Sequence, residues 1–236
     1  MHHQVRRFHA PRFRYAASMS PLARFLDPSD VALKICGVTM RSDAERLADL
    51  GVDALGVNFW PHSKRYLAAE HAGWLRDLAG RILRVGVFVN EDPALPLRLF
   101  DEGLLDAIQL HGDETVDDAL VYRNAGVPFI KALGVRTGDD LLDAAGYGAM
   151  AILLDAHDPA AHGGTGRTFD WNAALDFKSA HPEIPILLAG GIVPENAARA
   201  AAEVRPSALD VASGAELSPG IKDFRKVAAL LAALNR

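Results

Sequence analysis

The feature that most constrains the fold is a repeated alternation of short apolar runs with helix-like segments, which begins near Val31 and recurs about every 25 residues. The runs are apolar throughout rather than alternately polar. That pattern is typical of parallel strands whose two faces are both covered by helices. Eight runs are predicted to be strands, at 32–36, 54–59, 84–89, 106–110, 128–133, 151–155, 185–189 and 208–212.

Eight strand–helix units with right-handed crossovers close into a barrel, and a chain of 236 residues is long enough to form one as a single unit. We therefore predict the α/β class and a single-domain (β/α)8 TIM barrel over residues 31–236. A doubly wound open sheet is the alternative, but it needs a glycine fingerprint after its first strand, and "CGVTMRSD" has none. Helices after the first are predicted to begin near Ala69, Pro93, Thr115, Asp139, Asp170, Glu195 and Lys222.

Residues 1–30 differ in composition from the rest, because they hold five arginines against only two acidic residues, Asp27 and Asp30. An Arg-rich segment of this kind is similar to an organelle transit peptide. We interpret it instead as a disordered N-terminal extension, or as a start placed too early, with Met19 as the true initiator. Either way we expect residues 1–30 to lie outside the fold.

Composition excludes several classes of partner. The chain carries 25 basic and 30 acidic side chains, a net charge of −5, which is unfavourable for general nucleic-acid binding. No apolar run approaches the roughly 20 residues that a membrane helix needs. A single cysteine excludes an internal disulfide framework. We therefore predict a cytoplasmic protein that binds neither nucleic acid nor membrane, as a monomer or a homodimer.

The predicted barrel indicates which residues can belong to an active site, because barrel active sites form at the carboxyl ends of the strands. Polar or reactive residues at or just beyond strand ends are therefore expected to converge on one mouth. They are Cys36, Asn58, Arg65, Asn90, His111, Lys131, Asp155 and Asp210.

Glycine-rich loops follow the last three predicted strands, at 163–166, 189–192 and 212–216. Exposed backbone N–H groups in such loops can approach an anion closely, and phosphate sites in barrels characteristically follow strands seven and eight. Tight turns alone are the alternative explanation. We predict that a phosphate ester binds here, at Gly164, Gly166, Gly190, Gly191, Ser213 and Gly214.

Cys36 and Asp155 end different strands, so they are expected to face each other across the mouth. A thiol and a carboxylic acid in that arrangement can act as general base and general acid on one bound molecule. Each residue also has a simpler interpretation, since free cysteines often fill cores and an aspartate can form a structural salt bridge.

Three further side chains are candidates for substrate binding. Arg65 can hold a planar carboxylate with its fork of donors, although it can equally be a surface arginine. His111 can donate a hydrogen bond to a ligand or cap its loop, and Asp210 can orient its neighbours. The sequence contains no HExxH motif and no closely spaced His or Cys ligands, so we predict no metal site.

At this point a family resemblance becomes specific. The segments "KICGVT", "GVNFWPHSKRY", "VGVFVN", "IQLHGDE", "LLDA" followed by "GGTGRTFDW", "LAGGIVPEN" and "DVASGAE" with "PGIKD" resemble, in order, the motifs of the phosphoribosylanthranilate isomerases of tryptophan biosynthesis. The resemblance runs from about Leu33 to the C-terminus and leaves residues 1–30 outside. It implies a (β/α)8 barrel that performs an Amadori rearrangement of N-(5-phosphoribosyl)anthranilate without metal or organic cofactor.

The resemblance also implies roles for residues at matching positions. Cys36 is expected to be the general base, Asp155 the general acid, and Arg65 the group that holds the anthranilate carboxylate, with the phosphate on the glycine loops. The chain departs from the family pattern at Ala212, where a serine is frequent, and at Lys64, where a proline commonly precedes the arginine.

Three other enzyme classes are disfavoured by the sequence, and one function without catalysis stays open. Indole-glycerol-phosphate synthases would show catalytic lysines and glutamates at strand ends, and pentose-phosphate epimerases would show paired histidines and aspartates around a metal. Dual-substrate isomerases that also serve histidine biosynthesis typically have an aspartate where Cys36 stands. A barrel that binds phosphorylated metabolites without turnover is also compatible with the predicted fold.

Overall fold

A computed structural model describes residues 20–27, 29–156 and 171–236, and these form the predicted closed barrel. Each strand pairs in parallel with the next, and the first pairs with the eighth to close the ring. The strands are β1 (Ala32–Ile35), β2 (Ala54–Asn58), β3 (Leu83–Phe88), β4 (Ala107–Leu110), β5 (Phe129–Val135), β6 (Ala151–Ala156), β7 (Ile186–Leu188) and β8 (Ala208–Val211). A short antiparallel hairpin, β9 (Glu216–Ser218) with β10 (Ile221–Lys222), follows β8.

Helices cover the outside of the barrel, and none in the described ranges is long and apolar enough to cross a membrane. The α-helices are α1 (Pro21–Phe25), α2 (Arg41–Asp49), α3 (Ala94–Asp101), α4 (Val116–Asn124), α5 (Asn172–Ala180), α6 (Pro194–Val204) and α7 (Phe224–Ala233).

Two of the predicted helices are instead pairs of short 3₁₀ helices. The segment expected near Ala69 forms Ala69–His71 and Gly73–Leu78, and the one expected near Asp139 forms Gly138–Leu141 and Ala144–Tyr147. Both segments contain glycines, which disfavour a continuous α-helix, and short tight turns are the usual result. The helix expected at Lys222 begins two residues later, because Lys222 belongs to β10 and Asp223 caps α7 through the N–H of Arg225.

Side chains alternate between two cores along each strand. On β1, Leu33 and Ile35 are fully buried against the surrounding helices, whereas Ala32 belongs to a second apolar cluster inside the barrel. Because successive side chains of a strand point to opposite faces, Lys34 and Cys36 share the inner face with Ala32. This alternation places the cysteine at the carboxyl end of the barrel interior.

Helix α1 closes the opposite end of the barrel. Ser20 caps it through the N–H of Ala23, and Phe25 packs with no exposed surface among Ala32, Leu83 and other residues at the amino ends of the strands. The expectation that residues 1–30 lie outside the fold is therefore wrong for residues 20–27. An aromatic ring that fills the barrel floor is part of the core, and its burial outweighs the polar composition of the segment around it.

Candidate active site at the carboxyl end of the barrel

Cys36 lies just beyond β1, where its backbone N–H donates to the carbonyl of Val211 at 2.8 Å, and the residue as a whole is partly exposed. Burial raises the pKa of this thiol above its usual value. The ammonium groups of Lys34 and Lys222 oppose that rise, and the carboxylate of Asp210 adds to it. Burial and the neighbouring charges of Lys34, Lys222 and Asp210 together determine how readily this thiol becomes the reactive thiolate.

Lys34 and Asp210 form a buried ion pair inside the barrel, with the ammonium nitrogen 2.8 Å from Oδ1 of the carboxylate. Their positions are opposite each other in the register of β1 and β8. Burial acts to lower the pKa of Lys34, but Asp210 and the thiol hold it above its usual value. Asp210, expected to contact substrate or to orient neighbours, thus has a partner within the protein.

Arg65, in the loop after β2, is brought against the backbone at Cys36. A Cβ at Gly37 would lie 2.2 Å from Cδ of Arg65, and Gly37 has a φ of +73°, so only glycine allows this close approach. The guanidinium donates to Glu216 from Nε, at 2.9 and 3.0 Å, and from Nη2 at 2.7 Å. The Nη1 end does not take part in these bonds, so it is the part of the fork that can hold a ligand carboxylate.

Glu216 and Lys222 are parts of the site that our sequence analysis missed. Nζ of Lys222 donates to Oε1 of Glu216 at 2.7 Å and to the carbonyl oxygen of Cys36 at 2.6 Å. Burial acts to raise the pKa of Glu216, but Arg65 and Lys222 lower it below its usual value. The two residues lie in "ASGAE" and "PGIKD", so their motifs were visible in the sequence, but their roles were not.

His111 and Asp155 meet at the mouth, as predicted from their strand-end positions. Nε2 of the imidazole lies 3.6 Å from Oδ2 of the carboxylate, and Nδ1 lies 2.7 Å from Nε2 of Gln109. Gln109 is fully buried on the inner face of β4, two residues before His111. Asp155, only 8% exposed, follows Leu153 on the inner face of β6 and so faces the interior shared with Cys36.

The two described glycine loops are packed together. Gly190 and Gly191 lie in the turn between β7 and α6, where Asn196 binds the carbonyl of Gly191 and accepts from the N–H of Val193. Ser213 and Gly214 begin the turn after β8, and a Cβ at Gly214 would lie 2.0 Å from the carbonyl oxygen of Ile192. Gly164 and Gly166 lie outside the described residues.

Lys131 does not face the mouth, and its inclusion among the converging residues is wrong. Its neighbours Ile130 and Ala132 point into the barrel, so Lys131 points outward. There its ammonium donates to Glu114 and to the carbonyl of Gly112, each at 2.7 Å, and the residue is 1% exposed.

Asn58 and Asn90, also expected at the mouth, hold the backbone of their loops. The side chain of Asn58 accepts from the N–H of Trp60, and that of Asn90 accepts from the N–H of Asp113.

No group of three His, Cys, Asp or Glu side chains in the described ranges is arranged to hold a metal ion. The mouth instead combines a thiol, a carboxylic acid beside an imidazole, a guanidinium and two adjoining glycine turns. That set of groups can bind a molecule with two anionic groups and transfer protons to and from it.

Comparisons with known proteins agree with this arrangement. Residues 33–233 match the family model described as N-(5'phosphoribosyl)anthranilate (PRA) isomerase. An N-(5'-phosphoribosyl)anthranilate isomerase of Citrifermentans bemidjiense is 44% identical over 85% of this chain and 95% of the relative.

Solved structures show the same similarity. The crystal structure of the phosphoribosyl anthranilate isomerase from Thermotoga maritima has a TM-score of 0.79 and 37% identity, covering 87% of this chain and 98% of that one. A phosphoribosyl anthranilate isomerase in complex with reduced 1-(o-carboxyphenylamino)-1-deoxyribulose 5-phosphate has a TM-score of 0.76 and 36% identity, over the same shares of the two chains.

Proposed function

Because this chain belongs to the N-(5'-phosphoribosyl)anthranilate isomerase family, we propose that Cys36 is the general base and Asp155 the general acid of the family's reaction. The enzyme converts N-(5-phosphoribosyl)anthranilate into 1-(2-carboxyphenylamino)-1-deoxyribulose 5-phosphate, an aldose–ketose isomerisation in tryptophan biosynthesis. The roles that we propose for individual residues are those that the family resemblance implies, and the positions of these residues in the mouth support them.

The first step opens the ribose ring. Asp155 donates its proton to the ring oxygen as the bond between that oxygen and C1 breaks, while the lone pair of the anthranilate nitrogen forms an iminium with C1. The carboxylate that Asp155 becomes lies 3.6 Å from Nε2 of His111. An imidazole N–H at that position stabilises the new negative charge and so assists proton donation.

The second step removes a proton from C2. The thiolate of Cys36 takes it, the electron pair of the C–H bond forms a C1–C2 double bond, and the iminium nitrogen regains its lone pair to give an enolamine. Because the iminium acidifies the C2 proton, a moderately basic thiolate is sufficient. Loss of the enol O–H proton and protonation of C1 then give the ketone. Cys36 releases the proton that it took and Asp155 regains the one that it gave, so no net proton is gained or lost.

The two anionic ends of the substrate are held by different parts of the mouth. Arg65 offers its Nη1 end to the anthranilate carboxylate while Glu216 holds Nε and Nη2. The backbone N–H groups of the adjoining loops at Gly190, Gly191, Ser213 and Gly214 bind the phosphate. From the sequence alone, we propose that Gly164 and Gly166 also bind this phosphate.

We propose the cytoplasm as the compartment of this protein. A general base at Cys36 must remain a free thiol, and thiols persist in a reducing compartment. The ligand that we propose is a small phosphorylated molecule, as in the family member crystallised with the reduced product analogue.

The observation that carries this proposal is the alternation of side chains on β1 and β6, which directs both Cys36 and Asp155 to the interior of one barrel mouth. The experiment is the loss of anthranilate-adduct fluorescence on adding Cys36→Ala or Asp155→Asn enzyme. Each variant should turn over at least about 10²-fold more slowly than wild type and still bind the reduced product analogue. Near-normal turnover in either variant would reassign that role.

A further inference from the structure

Lys34 is a fully buried charged side chain near the reacting groups that has no role in the two steps proposed for the isomerisation. Lys34 lies on the inner face of β1 with no exposed surface, two residues before Cys36. A buried ammonium costs several kcal/mol to desolvate, and a hydrophobic pair at Lys34 and Asp210 would often be as stable or more so. The ion pair therefore suggests a purpose other than stability.

Gly56, on the neighbouring strand β2, shows how close the ammonium and the thiol are. The position that a Cβ of Gly56 would occupy lies 2.8 Å from Sγ of Cys36 and 3.1 Å from Nζ of Lys34. The two atoms thus border the same small space, which exists because residue 56 has no side chain. The ammonium and the ionised thiol attract each other there.

The charges around the thiol come from four elements. Lys34 approaches from β1, Asp210 from β8, Lys222 from β10 and Arg65 from the loop after β2. Lys222 and Arg65 are both bound to Glu216, which offsets their charge. Of these cations, Lys34 has the largest effect on the thiol, and it favours the thiolate.

We propose that Lys34 is a positioning residue for the isomerisation: its ammonium favours the thiolate form of Cys36 facing the substrate, while Asp210 fixes the ammonium in place. This inference rests on the proposed role of Cys36 as general base. Without the ammonium, the thiolate would face the Asp210 carboxylate with only Lys222 and Arg65 to oppose it, and both of these are bound to Glu216. Two adjacent anions disfavour ionisation of the thiol.

The test measures the pKa of the thiol directly. Cys36 is the only cysteine in the chain, so the rate of alkylation by iodoacetamide as a function of pH reports its ionisation alone. In Lys34→Met we expect the alkylation rate at neutral pH to fall at least about tenfold, one pKa unit. Lys34→Arg, which keeps the positive charge, should restore most of the rate.

A matched control is available at Lys131, the other lysine of the barrel strands with almost no exposure. It also pairs with a carboxylate, that of Glu114, but on the outer face of the barrel. Lys131→Met should therefore leave the alkylation profile of Cys36 unchanged. If Lys34→Met fails to fold, Lys34→Met/Asp210→Asn is compared with Asp210→Asn, and we expect Cys36 to be alkylated more slowly at neutral pH in the double variant than in Asp210→Asn.

Kinetics give an independent readout. In the same variants, kcat/KM should rise with pH in parallel with the alkylation rate, so that Lys34→Met regains activity in alkaline buffer. An alkylation profile identical to wild type in both Lys34→Met and the double variant would overturn the inference. Full activity of Cys36→Ala would instead overturn the role of the thiol, so the two failures are distinguishable.

Discussion

The guanidinium of Arg65 lies against the carboxylate of Glu216, joined by three hydrogen bonds of 2.7 to 3.0 Å, and the same carboxylate accepts a bond from Lys222. Lys222 in turn binds the carbonyl of Cys36. This chain of contacts connects the residue that we assign to the anthranilate carboxylate with the backbone that carries the thiol. Substrate position and the position of the base are therefore set by one connected structure.

Arg65→Lys should weaken substrate binding more than it slows the chemistry. Lysine has one nitrogen in place of the rigid fork of donors, so it cannot reproduce the three hydrogen bonds to Glu216 together with a contact to a ligand carboxylate. Charged hydrogen bonds contribute about 1.5–3 kcal/mol, so we expect KM to rise at least about tenfold with a smaller change in kcat. Steady-state kinetics check this, with Arg41→Lys on exposed helix α2 as the control. An unchanged KM would remove Arg65 from carboxylate recognition.

Glu216→Gln should change the dependence of stability on pH. The pKa of Glu216 is lowered in the folded protein, so its charge contributes stability that is present above the ordinary pKa of about 4.3 and is lost as pH falls through the lower, folded value. At pH 7 the variant should be less stable by about 3 kcal/mol, since the cations of Arg65 and Lys222 lose their partner.

Urea unfolding at pH 7 and at stepwise lower pH measures this difference. The gap between wild type and Glu216→Gln should narrow in acid, whereas Glu45→Gln, at a partly exposed surface pair, should differ little from wild type throughout. A gap that stays constant down to pH 3 would show that the charge of Glu216 does not contribute to stability.

Gly56→Ala should impair catalysis through the thiol. Its methyl group would lie 2.8 Å from Sγ of Cys36 and 3.1 Å from Nζ of Lys34, so one or both groups must move. Overpacking of this kind costs about 1–3 kcal/mol, and we expect kcat to fall at least about tenfold. Gly73→Ala, where a methyl group meets nothing within 4 Å, is the matched control. Wild-type turnover in Gly56→Ala would show that the position of the thiol is not critical.

Phe25→Ala should destabilise the barrel without altering the chemistry. The ring is fully buried at the amino end of the barrel, opposite the mouth. Its removal leaves a cavity, and we expect the free energy of unfolding to fall by about 3–5 kcal/mol. Chemical denaturation measures the loss, and kcat of the folded enzyme should be unchanged. Leu142→Ala, at a side chain that is 77% exposed, should stay within about 0.5 kcal/mol of wild type. Equal stability of Phe25→Ala would mean that α1 does not close the floor.

The strand pattern predicted the barrel because eight apolar runs at regular spacing have few other ways to bury both faces. Position at a strand end correctly brought together His111 and Asp155, but it also included Lys131, where the alternation of strand side chains points the lysine outward. The same alternation, applied to "KIC" and "QLH", identifies Lys34 and Gln109 as inner-face neighbours of Cys36 and His111.

Other parts of the site depend on contacts that a one-dimensional pattern does not encode. Glu216 reaches Arg65 across 151 positions of sequence, and the hairpin that carries Lys222 is too short to give a strand signal. The burial of Phe25 was not predicted, because the arginine-rich composition of residues 1–30 gave no indication that one aromatic ring of this segment belongs to the core. In each of these cases tertiary packing outweighed the local composition.

The most direct test of the account is a crystal structure of this chain with reduced 1-(o-carboxyphenylamino)-1-deoxyribulose 5-phosphate. We predict that the sugar carbons lie between Sγ of Cys36 and the carboxylate of Asp155, with the phosphate on the turns at Gly190 and Gly214 and the aromatic carboxylate on Arg65. A sugar bound out of contact with either Sγ or the Asp155 carboxylate would contradict the assignment of these two groups as base and acid.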